Sequence, residues 1–273
     1  MEQSKVRRPA VAGQFYSGSA QALKNQIEAL IDKKAARLDV ISCMLPHAGY
    51  MYSGGVAAKT VSCINIKDKV ILLGPNHTGY GAAFSIMTEG VWQTPLGEVK
   101  IESKLAKQIL THSQYLEDNS LAHLYEHSLE VELPFLQYFK PDFQIVPITI
   151  LCNELSVLKR LGKEIAGVID ELDIKDSTLI VASSDMTHYE PEGQAQKKDK
   201  EAIQAILELN EDKLMERIRQ LDISMCGYAP TIVMLACAKE LGAKSARLIK
   251  YQTSGDVTGD TSSVVGYAGI VIE

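Results

Sequence analysis

Three of the chain's six histidines stand just past short apolar runs, where an imidazole can hold a metal ion or move a proton. The run 40–45 leads into Pro46-His47-Ala48-Gly49-Tyr50, and the run 70–73 leads into Gly74-Pro75-Asn76-His77. A third run, 179–182, leads into Ser183-Ser184-Asp185-Met186-Thr187-His188. In open α/β sheets ligands bind beyond the carboxyl ends of the strands. If the three runs are parallel neighbours, the three imidazoles converge on one pocket.

Each loop adds chemistry of its own. Pro46 restrains the backbone, and Gly49, Gly54 and Gly55 permit sharp turning before a helix whose first N–H groups suit an anion. Asn76 or a backbone carbonyl can orient His77 through its second ring nitrogen. Asp185 and His188 are spaced i, i+3, so a helical turn there makes them a ligand–base or base–orienter pair. The bland alternative has Asp185 capping a turn and His188 packing beside Tyr189. Cys226, in Met225-Cys226-Gly227-Tyr228-Ala229-Pro230, precedes a helix start, where the dipole lowers a thiol pKa. A thiolate there completes a His47–His77–Cys226 metal set, although alone the residue reads more readily as a small buried hydrophobe. His127, beside Glu126, is either a substrate or outer contact of the site or a helix-start histidine without chemistry. His112 and His123 read as surface groups. Tyr16, Tyr50, Tyr52 and Trp92 are candidate apolar walls. Asp256 and Asp260 read as a polar turn rather than a cation site.

The elements that must position these groups alternate from end to end. Helices are expected over 19–33, 55–64, 102–111, 127–139 with a break at Pro134, 154–171, 195–209, 211–220 and 227–241. Strands are expected over 40–45, 69–74, 144–151, 178–183, 245–252 and 263–272, with short strands and turns across 82–99. The alternation implies one α/β domain, 1–273, with a mostly parallel or mixed central sheet covered by helices on both faces. The last strand is expected to be antiparallel, at an edge or in a local ribbon.

Hydrophobic residues make up 46% and charged residues 23% of the 273, a globular mix, and no run approaches the length of a membrane span. The net charge of −6 argues against nucleic acid as a partner, and Arg7-Arg8, Lys33-Lys34 and Lys197-Lys198 read as solvated faces. Five cysteines without CxxC spacing and no signal-like start fit a reducing cytoplasm, with Cys43, Cys63, Cys152 and Cys237 as core.

Several stretches, in order, resemble the Memo family. They are Arg8-Pro9-Ala10-Val11-Ala12-Gly13-Gln14-Phe15-Tyr16, His47 to Gly54, Gly74-Pro75-Asn76-His77 and Glu126-His127-Ser128. Ser183 to His188, Cys226-Gly227 and Ser263-Val264-Val265-Gly266-Tyr267-Ala268 complete the set. The resemblance spans essentially the whole chain. It implies a fold similar to class III extradiol ring-cleaving dioxygenases and a pocket lined by His47, His77, Asp185, His188 and Cys226. Non-haem iron oxygenases use two histidines and one carboxylate. Here Cys226 stands where that carboxylate is expected, which shifts preference toward Fe(II), Cu(I) or zinc. The resemblance also implies an AMMECR1-like protein and a radical S-adenosylmethionine protein as partners in bacteria and archaea. In eukaryotes it implies phosphotyrosine-containing peptides.

Three functions follow as expectations. The first is cytoplasmic metal-dependent redox, dioxygenase-like chemistry, with His47, His77 and Cys226 as ligands, Asp185 as ligand or orienter and His188 as general acid/base. The second is a non-catalytic pocket for a peptide or small anionic ligand. The third is zinc-assisted hydrolysis in the same site.

Overall fold

The computed structural model describes residues 5–273. Four fully or nearly fully buried strands make the centre: β2 (Ser42–Leu45), β3 (Lys69–Pro75), β8 (Gln144–Ile150) and β9 (Thr178–Ser183). They run parallel in the order β8-β3-β9-β2. Parallel strands buried on both faces need continuous apolar runs, and Val-Ile-Leu-Leu in β3 and Leu-Ile-Val-Ala in β9 supply them. Beyond β8 the sheet continues through β6 (Gly97–Ile101), β5 (Val91–Thr94) and β1 (Val6–Arg7); β4 (Phe84–Ile86) pairs β8 and the two-residue β7 (Glu117–Asp118). On the other side β12 (Val264–Ile272) pairs β2, β11 (Ala246–Thr253) and β10 (His188–Glu190), antiparallel to all three.

Helices cover both faces, as the alternating pattern implies. One layer holds α1 (Ala20–Leu30), α2 (Gly54–Ser62) and α5 (Leu133–Phe139), which touch one another. The other holds α3 (Ser103–His112), α6 (Leu155–Glu171), α7 (Glu192–Leu207), α8 (Glu211–Gln220) and α9 (Tyr228–Glu240). Two short helices, α4 (Leu121–Leu124) and α10 (Gly255–Thr258), sit in loops, and α10 ends at Gly259 in the left-handed region (φ 78°). The α9 helix is apolar all round, so it is sandwiched between the sheet and α6 rather than amphipathic.

Four expectations are corrected. The last strand is antiparallel but interior, with β11 outside it. The helix expected from 127 begins only at Leu133, because residues 128–132 form turns; Glu130 and Glu132 in them and Glu126 just before them are buried, and Pro134 falls in the first helical turn. Arg7 is no solvated residue: strand alternation exposes Val6 and buries the guanidinium over the Trp92 ring, 4.5 Å from its centroid. It bonds there to Glu130 and to the carbonyls of His123 (3.0 Å) and Glu126 (2.5 Å). His123, finally, is fully buried, its ring edge-on to Trp92.

Burial, helped by the Arg7 charge, depresses the His123 pKa from its ordinary 6.5 to about 3. The native state therefore refuses a proton that the unfolded state accepts between those two values. Stability holds above pH 6.5 and falls below it, by about 1.4 kcal/mol per pH unit from this residue. Unfolding free energies measured between pH 6.5 and 5 should show His123→Phe with a pH slope about one proton smaller than that of the unsubstituted protein. Equal slopes would show that the ring is not the titrating group.

Candidate metal centre

The carboxyl ends of β2, β9 and β3 lie side by side, which brings His47 and His77 within 5.2 Å of each other, ring centre to ring centre. Cys226 reaches them from the start of α9, and its Sγ lies 3.3 Å from His47 Nε2. One ligand atom from each of His47, His77 and Cys226 falls within 4.8 Å of the others. Nitrogen and sulfur on one tetrahedral zinc are about 3.6 Å apart, given bonds of roughly 2.1 and 2.3 Å. The Cys226–His47 pair, at 3.3 Å, is close to that spacing, and a set of two nitrogens and one sulfur is of the kind that soft or borderline ions take.

Each imidazole is anchored by Nδ1, which leaves Nε2 for the ion. His47 Nδ1 lies 2.8 Å from Ser183 Oγ. His77 Nδ1 lies 2.9 Å from Glu126 Oε1, and Glu126 also accepts from the His77 backbone N–H. Burial alone would raise the Glu126 pKa, but the His77 hydrogen bond and charge and the Ser128 N–H outweigh it and hold the carboxyl at about 2. A carboxylate behind a metal-binding histidine fixes its tautomer and raises its basicity. This role of Glu126 is absent from the sequence reading. It lies 49 residues from His77, and no spacing rule links them.

Asp185 acts as an orienter of backbone. Its Oδ1 accepts from the N–H of His47 (2.8 Å) and of Ala48 (3.3 Å), and burial raises its pKa to about 6. The Ser184–Thr187 segment is not helical, so Asp185 and His188 share a cavity rather than a helix face; His188 opens β10. Its Nδ1 lies 2.8 Å from the Ser224 carbonyl. Cys226 departs from expectation as well: burial, and then the Asp185 charge, push its thiol pKa up. Sγ accepts from the Asp185 N–H at 3.3 Å, and Gly227 N–H donates to Ser184 Oγ at 3.0 Å. A Cβ on Gly227 would collide with the Ser183 carbonyl and the Ser184 side chain, so this close approach is open to glycine alone.

A cavity of about 760 Å³ opens over the imidazoles, with Phe15, Tyr52 and Tyr267 among its walls and Ser254, Thr258 and Asp260 among its polar lining. His127 belongs to it, stacked on His77 at 4.8 Å, and burial lowers its pKa. Of the expected aromatic walls only Tyr52 lines it. Tyr16 and Tyr50 are buried with their hydroxyls spent on Glu130 (2.6 Å) and the Val131 carbonyl (2.8 Å), and Trp92 lies under Arg7. Asp256 and Asp260 accept from Thr253 and Ser262 backbone N–H groups, as turn residues do.

A parallel-cored α/β sheet whose strand ends gather two imidazoles, met by a thiol from the start of α9, defines a protein of the strand-end pocket class, with a donor set suited to a metal. The chain belongs to the Memo family: the sequence model of Memo-like proteins matches residues 7–271. A MEMO1 family protein of Methanopyrus kandleri is 43% identical, over 97% of this chain and 98% of its own length. One from Aquifex aeolicus is 42% identical, over 98% and 99%. The fold is also similar to that of an uncharacterized protein of Escherichia coli K12, with a TM-score of 0.56 at 14% identity, covering 84% of this chain and 98% of that one.

Proposed function

We propose that this protein binds one metal ion, Fe(II) or Cu(I), through His47, His77 and Cys226 and uses it for redox chemistry on a small organic ligand; zinc in the same site has no redox couple and would instead activate water. The observation that carries the reading is the convergence of the three ligand atoms within 4.8 Å, with both Nδ1 atoms already engaged. A bound iron or copper ion supplies one-electron chemistry and an open position for a ligand. The chain's residues do the rest. Asp185 holds the His47 loop, and Glu126 holds His77. His188 donates Nδ1–H to the Ser224 carbonyl, so its Nε2 is the basic nitrogen and takes a proton from a ligand in the cavity. Phe15, Tyr52 and Tyr267 offer flat apolar surfaces against which an organic ring can stack while water is excluded.

The second reading is a binding protein that keeps the pocket without turnover. The thiol in place of a carboxylate favours it, because the donor set departs from two histidines and one carboxylate. Anaerobic titration of the metal-free protein with Fe(II), Cu(I) and Zn(II), with metal content read by elemental analysis, tests the first reading. One equivalent of Fe(II) or Cu(I) per chain is the expected result; refusal of both overturns it, and uptake of zinc alone selects water activation over redox chemistry. If metal binds, ligand-dependent oxygen consumption that His188→Ala abolishes selects redox chemistry; ligand binding that survives metal removal selects the second reading.

A further inference from the structure

Ser183 sits behind His47 at the end of β9, and its single hydroxyl is contacted by three groups. Oγ lies 2.7 Å from the Ser128 carbonyl, 2.8 Å from His47 Nδ1 and 2.9 Å from Glu132 Oε1. A hydroxyl has one proton to give and two lone pairs with which to accept. The Ser128 carbonyl can only accept, so it takes the serine proton. The other two groups must then donate. For His47 this means a proton on Nδ1; for Glu132 it means an un-ionised carboxylic acid. An ionised Glu132 would compete with the carbonyl for one hydrogen, leaving two oxygens at bonding distance with nothing between them.

The surroundings of Glu132 agree with that count. The residue is fully buried beneath the site, at the turn that opens α5. Burial is the main influence on it and raises its pKa well above the ordinary value; the hydrogen bond with Ser183 acts the other way without offsetting it, and the charge acting on it, that of Asp185, has the same sign. Its second oxygen, Oε2, has no hydrogen-bond partner among the described residues, as fits the carbonyl half of an acid better than a carboxylate.

We propose that Glu132 is a positioning residue: as a neutral carboxylic acid it donates to Ser183 Oγ, releases the serine proton to the Ser128 carbonyl, and so commits His47 to the Nδ1–H tautomer. The relay Glu132–Ser183–His47 presents the Nε2 lone pair to Cys226 and to the ion. Its consequence for the ion rests on the metal reading above; the proton count does not.

The test uses the whole metal-free protein at pH 7. The infrared difference between the unsubstituted protein and Glu132→Gln should contain the C=O stretch of one protonated carboxylic acid, which a carboxylate lacks. Imidazole ¹⁵N shifts should place the His47 proton on Nδ1. Absence of the acid band, or a proton on Nε2, overturns the proposal. Both readouts stand whether or not metal binds. Where it binds, Glu132→Gln keeps a donor toward Ser183 and should hold affinity within about twofold, while Glu132→Leu should lose about tenfold. Equal affinity in the two variants removes the positioning role. Should the leucine variant fail to fold, the infrared and nitrogen measurements still decide.

Discussion

Cys226→Ser is expected to lower affinity for Cu(I) or Zn(II) by more than 100-fold while leaving the unfolding midpoint almost unchanged. Loss of an outer hydrogen-bond partner costs a metal site about 10–100-fold, and loss of a direct ligand costs more. A serine hydroxyl is sterically close to a thiol, but at neutral pH it is a hard, protonated oxygen and a poor donor to soft ions. The fold should tolerate the exchange, because Sγ makes only weak sulfur hydrogen bonds, with the Asp185 N–H (3.3 Å), His47 Nε2 (3.3 Å) and the Asp185 carbonyl (3.6 Å). Cys226→Asp separates the causes. It recreates a two-histidine, one-carboxylate set, so it should regain Fe(II) affinity relative to serine and not Cu(I) affinity. In the absence of metal it should be destabilised by the Asp185 charge beside it. Competition titrations against a chromophoric chelator give the affinities. A serine variant that binds Cu(I) and Zn(II) as tightly as the unsubstituted protein would remove Cys226 from the ligand set.

Arg7→Met carries the largest expected loss of stability, about 3–5 kcal/mol by chemical unfolding. The side chains of Arg7 and Glu130 are 2% and 0% exposed, so removing the cation strands a buried carboxylate. Glu130 then keeps Tyr16 Oη and the Ala10 and Val11 N–H groups as donors but has no counter-charge. Replacing both partners, as in Arg7→Met with Glu130→Gln, should recover part of the loss, since the unpaired charge dominates it. Arg7 also bonds the Glu126 carbonyl, and Glu126 anchors His77, so the single variant should bind metal more weakly. A loss below about 1 kcal/mol would put the pair in the class of weak surface bridges.

The parts of the fold and site that were legible in the sequence are those with a local signal. His47 and His77 follow apolar strands directly, so their place at the sheet's carboxyl edge needed only β2, β9 and β3 to lie together, and they do; His188, five residues past β9, opens β10 instead. Cys226 was legible from its position before Gly227 and α9. What was hidden depends on contacts far apart in the chain. Nothing near Arg7 says that its guanidinium ends between Trp92 and Glu130, 123 residues away, and a two-residue strand leaves no periodicity to read. In the sequence His123 reads as a surface group, while its burial comes from Trp92 and Arg7 across the fold. The three inward carboxylates of the 126–132 turn resemble a charged helix face until their partners are known.

The interior place of β12 has a consequence for the order in which the molecule is completed. During synthesis β2, β3, β8 and β9 all precede it, so for most of that time β2, whose residues are buried in the finished protein, has an open edge with unpaired backbone groups. Such an edge is a template for wrong pairing between nascent chains, and sheets closed by distant segments form slowly. Val265 and Tyr267 of β12 also wall the cavity above His47. The imidazoles are thus already present on an unfinished scaffold. The pocket that encloses them, and any ion it takes up, must wait for a strand laid down more than two hundred residues after His47.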